Sequence, residues 1–271
     1  MFTIGTDTEV FLINDDSGEF EASCGKFGGT KDNPMQFEDA PEGMMFQEDN
    51  VTLEFNTPVA HTREQWNGYC EEVLNRVATL ADHANCSIST AACAYFKKEA
   101  LQHPAALVFG CEPDYNAWKM IMNKKPTLPK CRANMRTAAG HIHVGTDENI
   151  VNVAQLMDLY LGVPSILLTD KNDRRKLYGK AGDMRPKPYG LEYRTLDNFW
   201  IFNEKYTDWV YTQVSLCLST VFMGNALQKD KKKIITAIDK HDVTLAKELV
   251  DKYTINVPER IDNDKVYSFP F

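Results

Sequence analysis

Apolar and polar residues alternate along several short stretches of the chain. Each alternation predicts a strand with one face in a core and the other outside it. The chain opens on a strand-like run without such alternation, Thr8–Ile13, inside GTDTEVFLI. A hairpin-like stretch around Gly18–Cys24 follows and leads into a glycine-rich loop, Gly25–Gly29. Asn50–Asn56 (NVTLEFN) alternates as a half-buried strand should, and Ser87–Cys93, Ala139–Gly145 (AGHIHVG) and Leu191–Leu196 read as further strands. Elsewhere the spacing turns helical. Thr62, three residues before Gln65, predicts a capped helix start, and Trp66, Cys70, Val73, Val77 and Leu80 carry that helix towards Ala84. Asp147 predicts the cap of a second helix over Ile150–Leu161, bent or ended by Pro164. From Asn203 onward the pattern is helical, including Ile234–Tyr253 with a charged outer face.

Strands separated by long helices, with neither regular βαβ alternation nor a GxGxxG turn, predict an α+β architecture. Its sheet would be mixed or antiparallel, with helices on one face and the other free for a ligand. No linker or repeat divides residues 1–271. Trp209–Leu227 (WVYTQVSLCLSTVFMGNAL) could be mistaken for a membrane span, but Thr212, Gln213, Ser215, Ser219, Thr220 and Asn225 interrupt it. A buried helix is the better reading, and no membrane is implied. The net charge of -8 argues against general nucleic-acid binding. The 7 cysteines are scattered singly without a CxxC pair, which signals neither a zinc knuckle nor a disulfide framework. Their odd number and the lack of a secretory leader predict a reducing, cytoplasmic setting.

Against this acidic background, Asp173–Leu196 (DRRKLYGKAGDMRPKPYGLEYRTL) concentrates Arg174, Arg175, Lys176, Lys180, Arg185, Lys187 and Arg194. A charge run is usually a solvated face. This one ends on Glu192-Tyr193-Arg194, whose acid and guanidinium share one strand face. Three other strands repeat the spacing: Asp7 with Glu9, Glu54 with Asn56, and His141 with His143. One polar pair is ordinary strand surface; repeated pairs of metal-ligand type, in a chain with only 6 His, are not. Oxygen-rich coordination with one imidazole fits Mg²⁺ or Mn²⁺. Such ions bridge substrate phosphates, and the arginines and lysines suit the same polyanion. The residue types thus converge on ATP-dependent chemistry.

Asp7-Thr8-Glu9, Glu54-Phe55-Asn56, Ala139-Gly140-His141-Ile142-His143 and the block RRKLYGKAGDMRPKPYGLEYR, in this order, resemble the carboxylate-amine ligases (amidoligases) of the glutamine synthetase-like fold. The likeness is greatest to the γ-glutamylcysteine ligase-type branch and its small phage-type COOH-NH2 ligase relatives. It covers most of Met1–Trp200, and the tail from Asn203 carries no matching motif. The resemblance implies a single catalytic domain over 1–271, with a curved, mainly antiparallel sheet, helices on one face, and a helical C-terminal part over 203–271. It implies metal ligation by Asp7, Glu9, Glu54, His141 and Glu192, with Asp7 where the family often has glutamate. His143 would touch a nucleotide phosphate, the two imidazoles being exchangeable in role. Lys180, Arg185 and Arg194 would hold ATP, and Arg174, Arg175, Arg185 and Arg194 would lie against the transferred phosphoryl group. Glu48 and Asp49 would add ligands or serve as the base for the incoming ammonium.

The implied reaction is ATP-dependent amide formation through an acyl-phosphate, a carbon-nitrogen ligation of EC 6.3 type that releases ADP and phosphate. The implied partners are a small-molecule or peptide carboxylate, with glutamate the family's common donor, and an amine that could be an amino acid, a peptide or a modified base. A homo-oligomer and, for a phage-encoded enzyme, the host cytoplasm complete the expectation. The chain is shorter than the glutamine synthetases and shows no N-terminal β-grasp pattern, so a site completed between subunits does not carry over. Two other readings stay open: a phosphotransferase of the guanidino-kinase type on a related fold, and a non-catalytic nucleotide or metabolite binder.

Other features read more plainly. Gly25–Gly29 lacks the GKS/T ending of a P-loop and is a turn or a flap. Cys111–Trp118 is either an acceptor-pocket wall or a set of core anchors, and Arg136 is within sequence reach of GHIHVG. Lys231–Lys233 begins a solvated helix, and His61, His83, His103 and His241 belong to surface or capping positions.

Overall fold

In the computed structural model, which describes residues 2–107, 114–124, 133–221, 227–262 and 266–267, the alternating stretches form one large antiparallel sheet. The N-terminal elements are β1 (Thr3–Asn14), β2 (Phe20–Glu21), β3 (Met35–Gln36), β4 (Met45–Asp49), β5 (Thr52–Asn56), α1 (Arg63–Asp82), β6 (Cys86–Ser89) and β7 (Cys93–Tyr95). There follow β8 (Tyr115–Asn116), β9 (Ile121–Met122), β10 (Met135–Thr137), β11 (Gly140–Gly145), α2 (Ile150–Met157), α3 (Val163–Leu168), β12 (Asp183–Lys187) and β13 (Gly190–Tyr193). The chain closes with α4 (Glu204–Ser219), α5 (Lys231–Lys240) and α6 (Val243–Tyr253).

The strand order is β3-β4-β5-β1-β11-β13-β12-β8-β9. The first half of β1 pairs with β5 and β11, and its second half leaves that ladder to pair with β6 and β2. β7 and β10 form a separate ribbon. Alternation decides what each face carries. Ile4, Val10, Leu53, Phe55, Ile142, Val144, Met184, Leu191 and Tyr193 point into one apolar core, against Trp66, Val73 and Val77 of α1, Val153 and Met157 of α2, and Val210 and Val214 of α4. Their neighbours Glu54, Asn56, His141, His143, Asp183, Arg185 and Glu192 are left for the other face. The α+β expectation holds, with the helices packed on one face of the antiparallel sheet.

Several boundaries differ from the expected ones for identifiable reasons. β1 begins at Thr3, because Thr3–Thr8 find partners in β11 that no local pattern announces. The small-residue strand expected over Ser87–Cys93 is two strands, β6 and β7, which belong to different sheets. Asn149, not Asp147, caps α2, its side chain accepting from Val151 N and Asn152 N. Pro164 does not end that helix. A π turn over Asp158–Gly162, with Val163 N donating to Asp158 O, resets the hydrogen-bond ladder. Pro164 then sits in the first turn of α3, where a missing amide hydrogen is tolerated.

Ile234–Tyr253 is two helices. His241 ends α5 in the left-handed region (φ 52), and Asp242 caps α6 through Leu245 N at 3.0 Å. The Trp209–Leu227 stretch is helical within α4 as far as Ser219, and 222–226 lie outside the described residues. Ile150–Leu168 is long and apolar enough to cross a membrane, but most of it is buried within the protein. The Thr62 cap is present: its side chain accepts from Gln65 N at 3.2 Å. Gln65 Oε1 in turn accepts from His61 N at 2.9 Å, one residue further back than a capping box requires.

Candidate active site

The register of the sheet aligns the polar pairs into rows on the face away from the helices. Asp7 lies opposite His141 on one side and Asn56 on the other, and Glu9 lies opposite Glu54. Glu192 lies between His143 and Arg185. The pairs at a spacing of two therefore meet side by side across β5, β1, β11, β13 and β12, as strand alternation predicts.

Two groups of potential metal ligands result. In the first, Asp7, His143 and Glu192 place one ligand atom each within 4.8 Å of one another. Asp7 Oδ1 lies 3.1 Å from His143 Nε2 and 2.9 Å from His141 Nδ1. Burial alone would raise the Asp7 carboxyl, but the two imidazoles hold it well below the ordinary carboxylate range. Burial lowers His141, helped by the Arg194 guanidinium, so its imidazole is neutral at neutral pH. His141 Nδ1 faces both Asp7 Oδ1 and, at 3.2 Å, Arg194 Nη1. Burial lowers His143 too, yet Asp7 outweighs it and raises this imidazole. Tyr189 hydroxyl bonds the other His143 nitrogen, Nδ1. Of the two imidazoles whose roles the sequence left exchangeable, His143 places a ring nitrogen in this ligand group, while His141 Nδ1 lies against Asp7.

Glu192 is fully buried and ringed by cations. Arg194 Nη1 bonds Oε1, Lys187 Nζ lies 2.7 Å from Oε2, and Arg185 Nη1 lies 3.6 Å from Oε1. Burial and the charge of Asp7 push this carboxyl up, but Arg194 and the two imidazoles bring it down to about 2. A buried charge is tolerated only with such partners. Asp114 sits between the guanidinium groups, its Oδ1 at 2.8 Å from Arg194 Nε and 3.3 Å from Arg185 Nε. It fixes both forks towards the same point.

Glu9, Asp49 and Glu54 form the second group, again within 4.8 Å. Burial, then the charge of Asp49, pushes Glu9 up to about 8. Burial, then Asp7, Asp49 and Glu9, raises Glu54 well above its ordinary value. Mutually repelling buried carboxylates of this kind match the charge of a divalent cation. Glu9 is held in place by its Oε2, which accepts from Ala139 N at 2.9 Å, and by Asn198 Nδ2 donating to its backbone carbonyl.

Glu9 and Asp49 of this group form the acidic wall of a cleft of about 660 Å³, open mouth included, whose other walls include Asn50, Thr52, Asp114, Arg136, His141, Arg174, Tyr178 and Arg194. Arg174 is buried. Its Nη1 donates to Thr195 O at 3.0 Å and its Nη2 to Arg194 O at 3.3 Å. Its guanidinium packs so tightly on Gly179 (φ +70) that a Cβ there would lie 1.8 Å from Nη1. Arg136 lines the cleft, as its place before GHIHVG suggested, although Nη2 donates to Ala106 O at 2.6 Å and Nη1 to Ala133 O and Met135 O.

Three expected site residues are elsewhere. Glu48 points to the opposite side of β4 from Asp49, where it accepts from Gly25 N, Phe27 N and Gly28 N at 2.7 to 2.8 Å. Burial opposes ionisation there, but those amide donors more than offset it and lower the carboxyl. Glu48 pins the glycine-rich loop and is not placed to take a proton in the cleft. Arg175 turns the other way from Arg174, with Nη2 donating to Ser165 Oγ at 3.3 Å, and together with Lys180 it lines a separate hollow. Neither reaches the metal-ligand groups.

Tyr189 and Tyr178 join the site without having been singled out in the sequence, whereas Lys187 belonged to the basic block and Asp114 to the Cys111–Trp118 stretch. The pairing of Asp114 with Arg185 and Arg194 had no signal, since these partners come much later in the chain. Of the Cys111–Trp118 stretch, 111–113 lie outside the described residues. Asp114 lines the cleft, whereas Trp118 is a core anchor whose Nε1 donates to Asp158 at 2.6 Å.

Residues 133–260 match the family model described as Phage phiEco32-like COOH.NH2 ligase-type 2. The match includes GHIHVG and the whole arginine block. It also continues to residue 260, through α4, α5 and α6, where the sequence had shown no motif. No curated protein matches the chain. Among solved structures, a bifunctional glutathione synthetase from Pasteurella multocida is similar at 12% identity and a TM-score of 0.44. That likeness covers 93% of this chain and 49% of the other, so the chain spans about half the length of the structure it matches.

Proposed function

Starting from a chain whose residues 133–260 carry the COOH-NH2 ligase-type 2 pattern, we propose that it is an ATP-dependent carboxylate-amine ligase on a glutamine synthetase-like catalytic domain. The observation that carries this reading is the sheet face itself. It sets two groups of three ligand atoms next to each other, Asp7–His143–Glu192 and Glu9–Asp49–Glu54, with Arg174 and Arg194 on the adjoining wall. Oxygen-rich groups, with Glu9 and Glu54 raised by burial and then by acidic neighbours, suit Mg²⁺ or Mn²⁺ rather than a thiol-type zinc site. When bound, such ions would neutralise the triphosphate and the charge that develops on the transferred phosphoryl group.

The chain's own residues do the rest. Arg194, steered by Asp114 and Glu192, and Arg174, braced on the carbonyls of residues 194 and 195, present fixed guanidinium groups to phosphate oxygens. Arg185 supports the same array through Asp114. The substrate carboxylate attacks the γ-phosphorus, the bridging P–O bond breaks, and ADP leaves. The amine then attacks the acyl carbon, and the C–O bond to phosphate breaks as the amide forms. The ammonium's proton passes to a carboxylate at the cleft, and with Glu48 held by the loop amides this role falls to Asp49. Glutamate is the donor that the resemblance favours.

The test is binding and turnover together. Mg-ATP should raise the Tm of the protein, and Glu192→Gln and Asp49→Asn should fold normally yet lose Mg²⁺-dependent ADP production by about a hundredfold or more. Folded variants that still release ADP at the parent rate would overturn the metal and base assignments.

A further inference from the structure

Arg174 and Arg175 are adjacent in one short 3-10 turn but serve opposite sides of it. Arg174 faces the cleft. Arg175 lines a second hollow, of about 1250 Å³ including its open side, together with Lys171, Lys180, Lys240, His241 and Asp239. The only other charges on that wall are Asp173 and Lys176, which pair with each other. Lys171, Lys180 and Lys240 are exposed and make no ion pair among the described residues. Asp239 turns Oδ1 to Ala181 N at 2.8 Å, so its carboxylate is partly spent on the backbone. In a chain of net charge -8 this is a concentrated positive hollow.

Two buried groups distinguish it from a solvated lysine patch. Arg175 is 8% exposed, anchored to α3 through Ser165, and its Nε has no hydrogen-bond partner. His241 Nδ1 is likewise buried without a partner. Leaving such groups unsatisfied costs free energy that a ligand would recover. His241 is held at the wall by its left-handed backbone, which closes α5 and starts α6 (φ 52). Burial, then Arg175 and Lys171, lowers its imidazole, so it is neutral at neutral pH and able to donate or accept one bond.

The geometry points to a second anion site, separate from the cleft, in which Arg175, Lys171, Lys180, Lys240 and His241 bind a small phosphate-bearing anion. A planar fork beside flexible ammonium groups suits a tetrahedral oxyanion of more than one negative charge. The two sites share structural parts. Lys180 O accepts from Thr195 Oγ1 at 3.0 Å, and Thr195 O accepts from Arg174. An occupant that orders Lys180 and Arg175 is thereby one residue from the guanidinium in the cleft.

The experiment is a titration of the full chain with inorganic pyrophosphate, in chelator and at fixed ionic strength. It is followed through the imidazole resonances, with His241 assigned by His241→Asn, a residue that tolerates positive φ. Inorganic phosphate is titrated in parallel, and sodium chloride is the control. The site predicts a saturable shift of the His241 signal. Lys171→Gln/Lys240→Gln, two exposed positions, should weaken it by about tenfold, and Arg194→Gln should leave it unchanged. Three outcomes would overturn the proposal: no shift at millimolar pyrophosphate, the same shift with chloride, or loss of the shift in Arg194→Gln. Because no metal or turnover is involved, failure here is distinguishable from failure of the ligase reading.

Discussion

Glu192 and Arg194 show how one strand serves two purposes. Alternation puts both on the ligand face, and Glu192 is tolerable there only because Arg194, Lys187 and Arg185 surround it. Arg194→Lys keeps the charge but loses the fork between Asp114, Glu192 and the cleft. Steady-state kinetics should show a loss of about a hundredfold in ADP production, and a loss below threefold would contradict the role given to the fork. Glu48 and Asp49 give a sharper contrast. They are adjacent in sequence but on opposite sides of β4, and the sequence offered both as bases. Glu48→Gln should keep turnover within about tenfold of the parent while making the Gly25–Gly28 backbone easier to cleave or exchange, whereas Asp49→Asn should lose it. Equal losses in the two would contradict the division of roles. At this scale the acids, imidazoles and Arg194 were legible from spacing alone. Asp114, and the sides taken by Arg174 and Arg175, were not, because long-range packing decides them.

The helix from Ile150 to Leu168 owes its continuity to an acid inside the core. The π turn carries Asp158, fully buried, where it accepts from Trp118 Nε1 at 2.6 Å, Tyr193 hydroxyl at 2.7 Å and Thr195 Oγ1 at 3.1 Å. It thereby ties the helix to β13 directly beneath Glu192. Asp158→Ala would leave Trp118 Nε1 and the Tyr193 hydroxyl buried without an acceptor, Thr195 Oγ1 keeping Lys180 O at 3.0 Å, at a cost of about 2–5 kcal/mol measured by urea unfolding. Burial pushes the Asp158 carboxyl up to about 7 in spite of those donors. The unfolded chain releases this proton near its ordinary value of about 3.9, so between about pH 4 and pH 7 the folded state binds more protons. Its contribution to stability is greatest at low pH and is lost as the pH rises through that window. The difference in unfolding free energy between pH 5 and pH 7 should therefore shrink in Asp158→Asn, and an unchanged difference would refute the shift. None of this was legible beforehand. Pro164 read as a bend or an end of the helix, because a π turn has no sequence pattern of its own.

Across the whole molecule, the strands the sequence pattern predicts include four that build the site, β1, β5, β11 and β13, while β4 and β12, which bring Asp49 and Arg185, left no such pattern. The short strands at the sheet's margins, β3, β8 and β9, left no pattern, since two residues cannot alternate. The helical tail was legible as helices but not as part of the stretch that matches the family model, because it carries no chemistry-bearing motif. The central claim is that this sheet face joins a carboxylate to an amine at the expense of ATP. Its most direct measurement supplies Mg-ATP with a mixture of amino acids and follows nucleotide, phosphate and condensation products by mass spectrometry. Formation of ADP and phosphate only when both carboxylate and amine are present, matched by a product lighter than its components by one water and absent with Glu192→Gln, is the predicted result. ATP cleavage that yields a stable phosphorylated product, or that proceeds at the same rate without an amine, would contradict it.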